Sequence, residues 1–419
     1  MLTQNKQRLL IGILMLTIII DIMGVGLVFP VIPEIMLSAK SVFFAKSATD
    51  TLRNFYYGIT MAVWPLGIFI GSAIIGRLSD IYGRKTLLIV ALIGTAAAYL
   101  ISVTSFYSGS LSLFIFSRFI CGFFGGSFSI AQTVMLDISN ADNRMRNLSL
   151  ITLAASIGFI FGPIITTLVG IFAVTDFQAI SLPFVFGAIL ACINLLSVCL
   201  FLPETYKKPV HKVKLHLISL IFSFRVMFVD KRVRILALSF LMLQIGWGYY
   251  AQALPLVLSQ ALSFGQSAVG GIFIILSAGF ALSTMWAQEK VLKRFTAKQA
   301  MLSIATLLSI IFLVSAIWLT IGMVIISAFL SALLQIIFYT ALLSVIAAAV
   351  KEHEQGAIMG GTTSVFGIAW FINAFSLGPA ANINITTPFY LAALALGLAG
   401  VFAYWHYHVK SIKSVSPTR

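Results

Sequence analysis

"GRLSDIYGRK", Gly76 to Lys85, gathers Arg77, Asp80, Arg84 and Lys85 between two long apolar segments. It is too short to be a domain and too polar to sit in hydrocarbon. Its surroundings decide how to read it. Of 419 residues, 60% are hydrophobic and 9% charged, whereas a soluble domain carries roughly 25% charged residues. Lipid is therefore the expected solvent. The apolar segments run to about 20 residues, which at 1.5 Å per residue crosses a ~30 Å hydrocarbon core as helix. Strand-length alternation is absent, which argues against a β-barrel. The first apolar stretch exceeds a signal-peptide core, contains Asp21 and is followed by many like it, so it reads as a retained span. The charged stretch is then a tight turn at a membrane surface.

Hydropathy and turn punctuation predict twelve spans, at about 9–30, 55–76, 86–106, 111–136, 148–173, 182–202, 235–258, 267–287, 299–319, 321–350, 355–379 and 386–408. An even number puts both termini on one side. Of the 27 Lys and Arg, all but Lys40, Lys46, Arg53 and Arg118 fall at the termini or in loops on that same side. The positive-inside rule makes that side cytoplasmic. The net charge of +15 is thereby read as a topology signal and as contact with anionic lipid headgroups, not as a nucleic-acid footprint.

Six spans precede and six follow the basic segment 203–234, which carries Lys207, Lys208, Lys212, Lys214, Arg225, Lys231, Arg232 and Arg234. The expected organisation is an N-terminal half, 1–202, a cytoplasmic linker, 203–234, and a C-terminal half, 235–419. Part of the linker, "LHLISLIFSFRVMF", is apolar enough for a short helix on the membrane surface. "LSDIYGR" at 78–84 matches "LKRFTAK" at 292–298, and Gly162-Pro163 matches Gly378-Pro379 at nearly the same offset. The two offsets fit a duplicated six-helix unit around a central path.

Cys121, Cys192 and Cys199 lie within apolar segments and read as small packing residues. There is no metal-ligand spacing, nucleophile–base set or phosphate loop, so neither a metal, a cofactor nor an enzymatic activity is expected.

Only Asp21 and Arg118 place a charge deep inside a predicted span. Each costs roughly 2.5–3.5 kcal/mol at a bilayer centre on insertion scales, so each needs a reason. Counted along its helix, Asp21 lies ~12 Å from the outer surface and Arg118 ~10 Å, so they share a depth. One reading is a proton-coupling pair: burial disfavours a carboxylate and a nearby guanidinium favours it, so a changing environment loads and unloads a proton. The other is a static pair that orients two helices. Gly24 and Gly26 read as points of close helix contact.

The opening stretch resembles the signature G-x-L-x-D-x-x-G-R-K of the major facilitator superfamily, filled here by Gly76, Leu78, Asp80, Gly83, Arg84 and Lys85. Ile81 stands where that family often has a basic residue. "DIMGVGLVFPVIP" in span 1 is similar to the drug:proton antiporter subgroup that includes tetracycline exporters. "RFICGFFGG" resembles the R-x-x-x-G motif at Arg118 and Gly122, and "DISNADNRMRN" resembles the loop in which Asp137 and Arg144 join the charge cluster. "GFIFGP", with Gly158, Gly162 and Pro163, resembles the antiporter motif, which usually continues to a Gly-Gly pair where this chain has Thr166-Thr167. "LPET" at 202–205 closes the half as in many members.

The resemblance implies spans 1 and 4 beside a central cavity. It implies a cytoplasmic gate built from Gly76, Asp80, Gly83, Arg84, Lys85, Asp137 and Arg144. Asp80, read as lying near a helix N-terminus, is favoured there by the dipole. Gly158, Gly162 and Pro163 imply a helix bend that shapes the cavity.

The second half has no charge within a predicted span. Gln244, Trp247, Tyr249, Gln252, Gln335, Tyr339, Trp370 and Asn373 are its candidate substrate-binding residues, or else interhelical glue. Two transport functions follow: proton-driven efflux of a small organic molecule, or a proton-coupled carrier of a polar metabolite or carboxylate siderophore, with Arg118 on the carboxylate. A non-transporting sensor predicts a large soluble domain or long tail, which is not read here. The expected partners are a small-molecule substrate, protons and membrane lipids, with no nucleic acid. The expected form is a monomer in a bacterial inner membrane.

Overall fold

The computed structural model describes all residues except 1–3, 39–40, 126, 140–143, 206–224 and 416–419. The described chain is all-helical. Ten of its helices are long and apolar enough to cross a membrane. Their outward faces are apolar, as with Phe161, Leu168, Ile171 and Phe172 on one helix and Ile189, Ile193, Leu196 and Leu200 on another. Such faces belong in lipid, and the protein is an integral membrane protein.

The chain divides into two compact units. The first comprises Met1–Leu220 and Ser263–Ile274. It holds α1 (Gln4–Val28), the short α2 (Ile32–Met36), α3 (Asp50–Tyr82), α4 (Arg84–Ser108), α5 (Leu111–Phe124), α6 (Ser127–Asp137), α7 (Arg144–Phe172) and α8 (Asp176–Phe201). The second comprises Ile221–Leu262 and Ile275–Arg419. It holds α9 (Arg225–Val229), α10 (Arg234–Leu262), the end of α11 (Gln266–Leu282) from Ile275 on, a π-helical turn at Ser283–Ala287, α12 (Gln288–Arg294), α13 (Ala297–Ile317), α14 (Ile321–Ala348), α15 (Glu352–Ile383) and α16 (Thr387–Val415). Most of the basic linker, and most of its expected surface helix, lies outside the described residues; α9 covers its last part.

Two expected spans fall outside the ten. Span 7 corresponds to α10, whose Gln244, Gln252, Gln260, Trp247 and paired tyrosines dilute its hydropathy; most of it is buried by protein. Span 4, expected as one helix, is described in two pieces, α5 to Phe124 and α6 from Ser127; Gly125 has helical φ and still donates to the Cys121 carbonyl four residues back, and residue 126 is outside the described residues. Cys192 and Cys199 also depart from expectation. They are exposed on α8 rather than packed in the protein.

Turn chemistry sets the helix starts. Thr49 caps α3, Ser110 caps α5, and Thr175 with Gln178, like Thr296 with Gln299, forms a reciprocal capping box. The opening charged stretch is not a loop. Helix α3 runs through Tyr82 and α4 begins at Arg84, so the entire turn is Gly83, at φ 105°. That backbone conformation suits glycine.

Candidate functional site

Asp21 sits on α1, half-buried, and its Oδ2 accepts a 2.5 Å hydrogen bond from the Ser127 hydroxyl. Ser127 is the first residue of α6. Arg118 on α5 is 3% exposed. It lies beside the Cys121 thiol one turn on, and its Nη1 has no hydrogen-bond partner among the described residues. Both Asp21 and Arg118 lie close enough to Tyr99 and Cys121 to act on them electrostatically. The structure thus brings the two intramembrane charges into one buried neighbourhood with Tyr99, Cys121 and Ser127. Tyr99 of α4 fits because its hydroxyl meets Gly24 and its ring meets Gly187, where a Cβ would collide.

Neighbouring glycines set how closely the helices approach. Gly26 of α1 faces Gly162 and Pro163 of α7, and Gly158 faces the Ile19 carbonyl. Pro163 is accommodated inside a continuous α7. Thr166, where the family pattern has glycine, is buried and donates to the Leu27 carbonyl at 3.1 Å. Gly122 abuts the Trp64 carbonyl of α3, which gives the second position of R-x-x-x-G a steric reason.

At the other end of these helices, Arg84 organises the charged cluster. Its guanidinium reaches Asp80 at 2.7 Å, Asp137 at 3.6 Å and the Ser79 hydroxyl at 2.7 Å. Thr205 also donates to Asp137, at 3.4 Å. One expectation is corrected. Asp80 occupies the last turn of α3, where the dipole disfavours an anion, and is held there by Arg84. The anion at the α4 N-terminus is Glu204, whose Oε1 accepts from the Arg84 amide at 2.9 Å and from the Lys85 amide at 3.5 Å. Lys85 reaches the Cys199 carbonyl at 2.9 Å. Gly76 faces open space, and the side chain of Arg144 lies outside the described residues.

In the second unit, the polar candidates separate into groups. Gln244, Gln252, Trp370 and Asn373 form one buried ladder between α10 and α15. Trp370 Nε1 donates to Gln244 Oε1 at 3.4 Å, Asn373 Nδ2 to the Gln244 carbonyl at 3.3 Å, and Gln252 Nε2 to the Trp370 carbonyl at 3.2 Å. Tyr249 pairs with Ser376 at 2.7 Å. Trp247 packs edge-on against Phe280, and Tyr339 packs at a tilt against Phe240. Gln335 is buried, and its Oε1 is without a partner among the described residues. A separate surface tie joins Arg232 to Asp230 at 2.6 Å and to Glu354 at 2.9 Å, at the start of α15. The Arg232 hydrogen bonds hold the Asp230 carboxyl below its ordinary value of 3.8.

Sequence reading passed over Ser127, Tyr99 and Glu204. Only Glu204 carried a signal, as the acid of "LPET" directly after a span.

A family model described as Major Facilitator Superfamily matches residues 14–372. The chain is 32% identical over 196 residues to the tetracycline resistance protein, class H, of Pasteurella multocida, covering 47% of this chain and 45% of that protein. The match spans about half the length of the curated relatives. Among solved structures, the human organic anion transporter MFSD10 superposes with a TM-score of 0.68 at 18% identity, over 95% of this chain and 99% of that one. A D-xylose-proton symporter superposes with a TM-score of 0.74 at 14% identity, over 94% and 97%.

Proposed function

The chain belongs to the major facilitator superfamily and is a transporter rather than an enzyme, and from that premise we propose that it exports a small organic molecule by proton antiport. The observation that carries the proposal is the buried neighbourhood of Asp21 and Arg118. A carboxyl among Ser127, Tyr99, Cys121 and a guanidinium has no packing justification in a span, whereas a proton carrier needs a protonatable group whose environment can alternate. The likeness to tetracycline resistance proteins supports efflux as the direction and a lipophilic polycyclic molecule as substrate.

In this reading twelve spans form two six-helix halves joined by the basic linker, with both termini cytoplasmic. The protein acts as a monomer in a bacterial inner membrane. Asp80, Arg84, Lys85 and Asp137 form the cytoplasmic gate, joined by Glu204. Gly158, Gly162 and Pro163 shape the path. The ladder of Gln244, Gln252, Trp370 and Asn373, with Trp247, Tyr249, Gln335 and Tyr339, belongs to the half that recognises substrate.

A second reading has its own observation. Arg118 Nη1 is buried and without a partner among the described residues, and a carboxylate is the group that satisfies it best. That favours an organic anion as cargo.

Reconstitution in liposomes with a lumenal pH dye tests both. Tetracycline and a set of aromatic carboxylates are the probes. Coupled proton movement that disappears in Asp21→Asn is expected. Undiminished movement in that variant refutes the Asp21 assignment, and accumulation of the probe down the proton gradient refutes antiport. Response to carboxylates alone selects the second reading.

A further inference from the structure

One turn from Asp21, on the same face of α1, lies Thr17, about 6 Å nearer the helix's N-terminal end. Thr17 and Asn194 of α8 are both fully buried. The surrounding core between α1, α4 and α8 is apolar and includes Leu14, Ile18, Leu92 and Val198. Asn194 Nδ2 donates to Thr17 Oγ1 at 2.8 Å. The Thr17 hydroxyl spends its own proton on the Ile13 carbonyl at 3.1 Å. Thr17 can therefore only accept from Asn194, which fixes the amide's orientation. The consequence is an Asn194 Oδ1 that has no partner among the described residues.

A buried amide oxygen left unsatisfied costs roughly 1–3 kcal/mol. Two leucines in place of this pair would pack such a seam without that cost, so helix glue alone is a poor explanation. What suits the site is a water on Oδ1, one helical turn inward of the protonatable carboxyl. Thr95 of α4, also buried, likewise has a hydroxyl oxygen without a partner among the described residues. Among the described residues, the charged and titratable groups shown to act in one neighbourhood with Asp21 are Arg118, Cys121 and Tyr99. The hydrogen bonds that tie Thr17 and Asn194 run between neutral groups.

We propose that Thr17 and Asn194 form the inward proton exit of Asp21. This rests on the reading of Asp21 as the coupling carboxyl. The Asp21 O–H bond breaks as a water held by Asn194 Oδ1 takes the proton. That hydronium passes another of its protons to solvent water admitted from the N-terminal face when the path opens inward. The water is regenerated and Asp21 remains as carboxylate. Asn194 does not titrate; Thr17 positions it.

The full chain in oriented liposomes needs no substrate for the test. Infrared spectroscopy follows the carboxyl band of Asp21, identified by its loss in Asp21→Asn, after a pH jump on either face. With Thr17→Val, which keeps shape without the hydroxyl, or Asn194→Leu, deprotonation through the N-terminal face should slow about tenfold, while exchange through the opposite face stays within about twofold. Thr17→Ser should restore the rate. Unchanged rates in both variants overturn the proposal, as does equal slowing on both faces, which marks a packing role. If no Asp21 band titrates in the parent protein, the coupling reading itself fails and the exit falls with it.

Discussion

Glu204 shows how one carboxylate can hold a conformational element. Its oxygen takes the first two amides of α4, and its carboxyl fills the space beside Gly83 that a side chain there would occupy. An anion at a helix N-terminus contributes about 0.3–1 kcal/mol, too little to decide whether the protein folds. It is enough to bias two conformations that differ slightly. Glu204→Ala should therefore lower thermal stability by no more than about 1 kcal/mol, yet slow turnover several-fold with substrate affinity nearly unchanged. Asp80→Asn should behave alike, because the Asp80–Arg84 pair is partly exposed and worth about 0–1 kcal/mol. Comparing binding with turnover in liposomes checks both; a large loss of affinity would place these residues at the binding site instead. The motif glycines differ among themselves. Sequence pattern marks Gly76 and Gly83 alike, but only Gly83 has a positive φ and a crowded neighbour.

Among the elements, the α1–α7 contact is a sterically demanding part of the first unit. Gly26 and Gly162 meet there with Pro163 wedged beside them. Adding a side chain into such packing typically costs about 1–3 kcal/mol. Gly162→Ala should lower the unfolding midpoint in detergent by that amount, whereas Gly76→Ala, in a helix and facing open space, should be neutral or stabilise by up to about 1 kcal/mol. Equal effects would mean the contact does not limit stability. Apolar composition alone reads 111–136 as a span; the contact of Ser127 with Asp21 cannot be read from hydropathy.

For the molecule as a whole, the proposed topology makes a direct prediction. Single cysteines replacing Lys46 and Lys298 in a cysteine-free background should react oppositely with a membrane-impermeant maleimide on intact cells: Lys46→Cys labels and Lys298→Cys does not. The reverse pattern would invert the orientation and turn the inferred proton exit outward. Sequence by itself determined the membrane class, most of the long apolar helices and the two charges that need explaining, because hydrophobic length and charge cost are local quantities summed along the chain. It also placed a tight charged turn within 76–85, which the structure narrows to Gly83. The partners were decided only by tertiary structure: Ser127 and Tyr99 beside Asp21, Glu204 rather than Asp80 on the α4 N-terminus, and Asn194 on Thr17. Those pairs are far apart in sequence, 106 residues for Ser127 with Asp21, 120 for Glu204 with Arg84 and 177 for Asn194 with Thr17. Residue spacing within one helix encodes which face a side chain takes, but which helix packs against that face is fixed only when the close contacts at Gly26, Gly122 and Gly162 form.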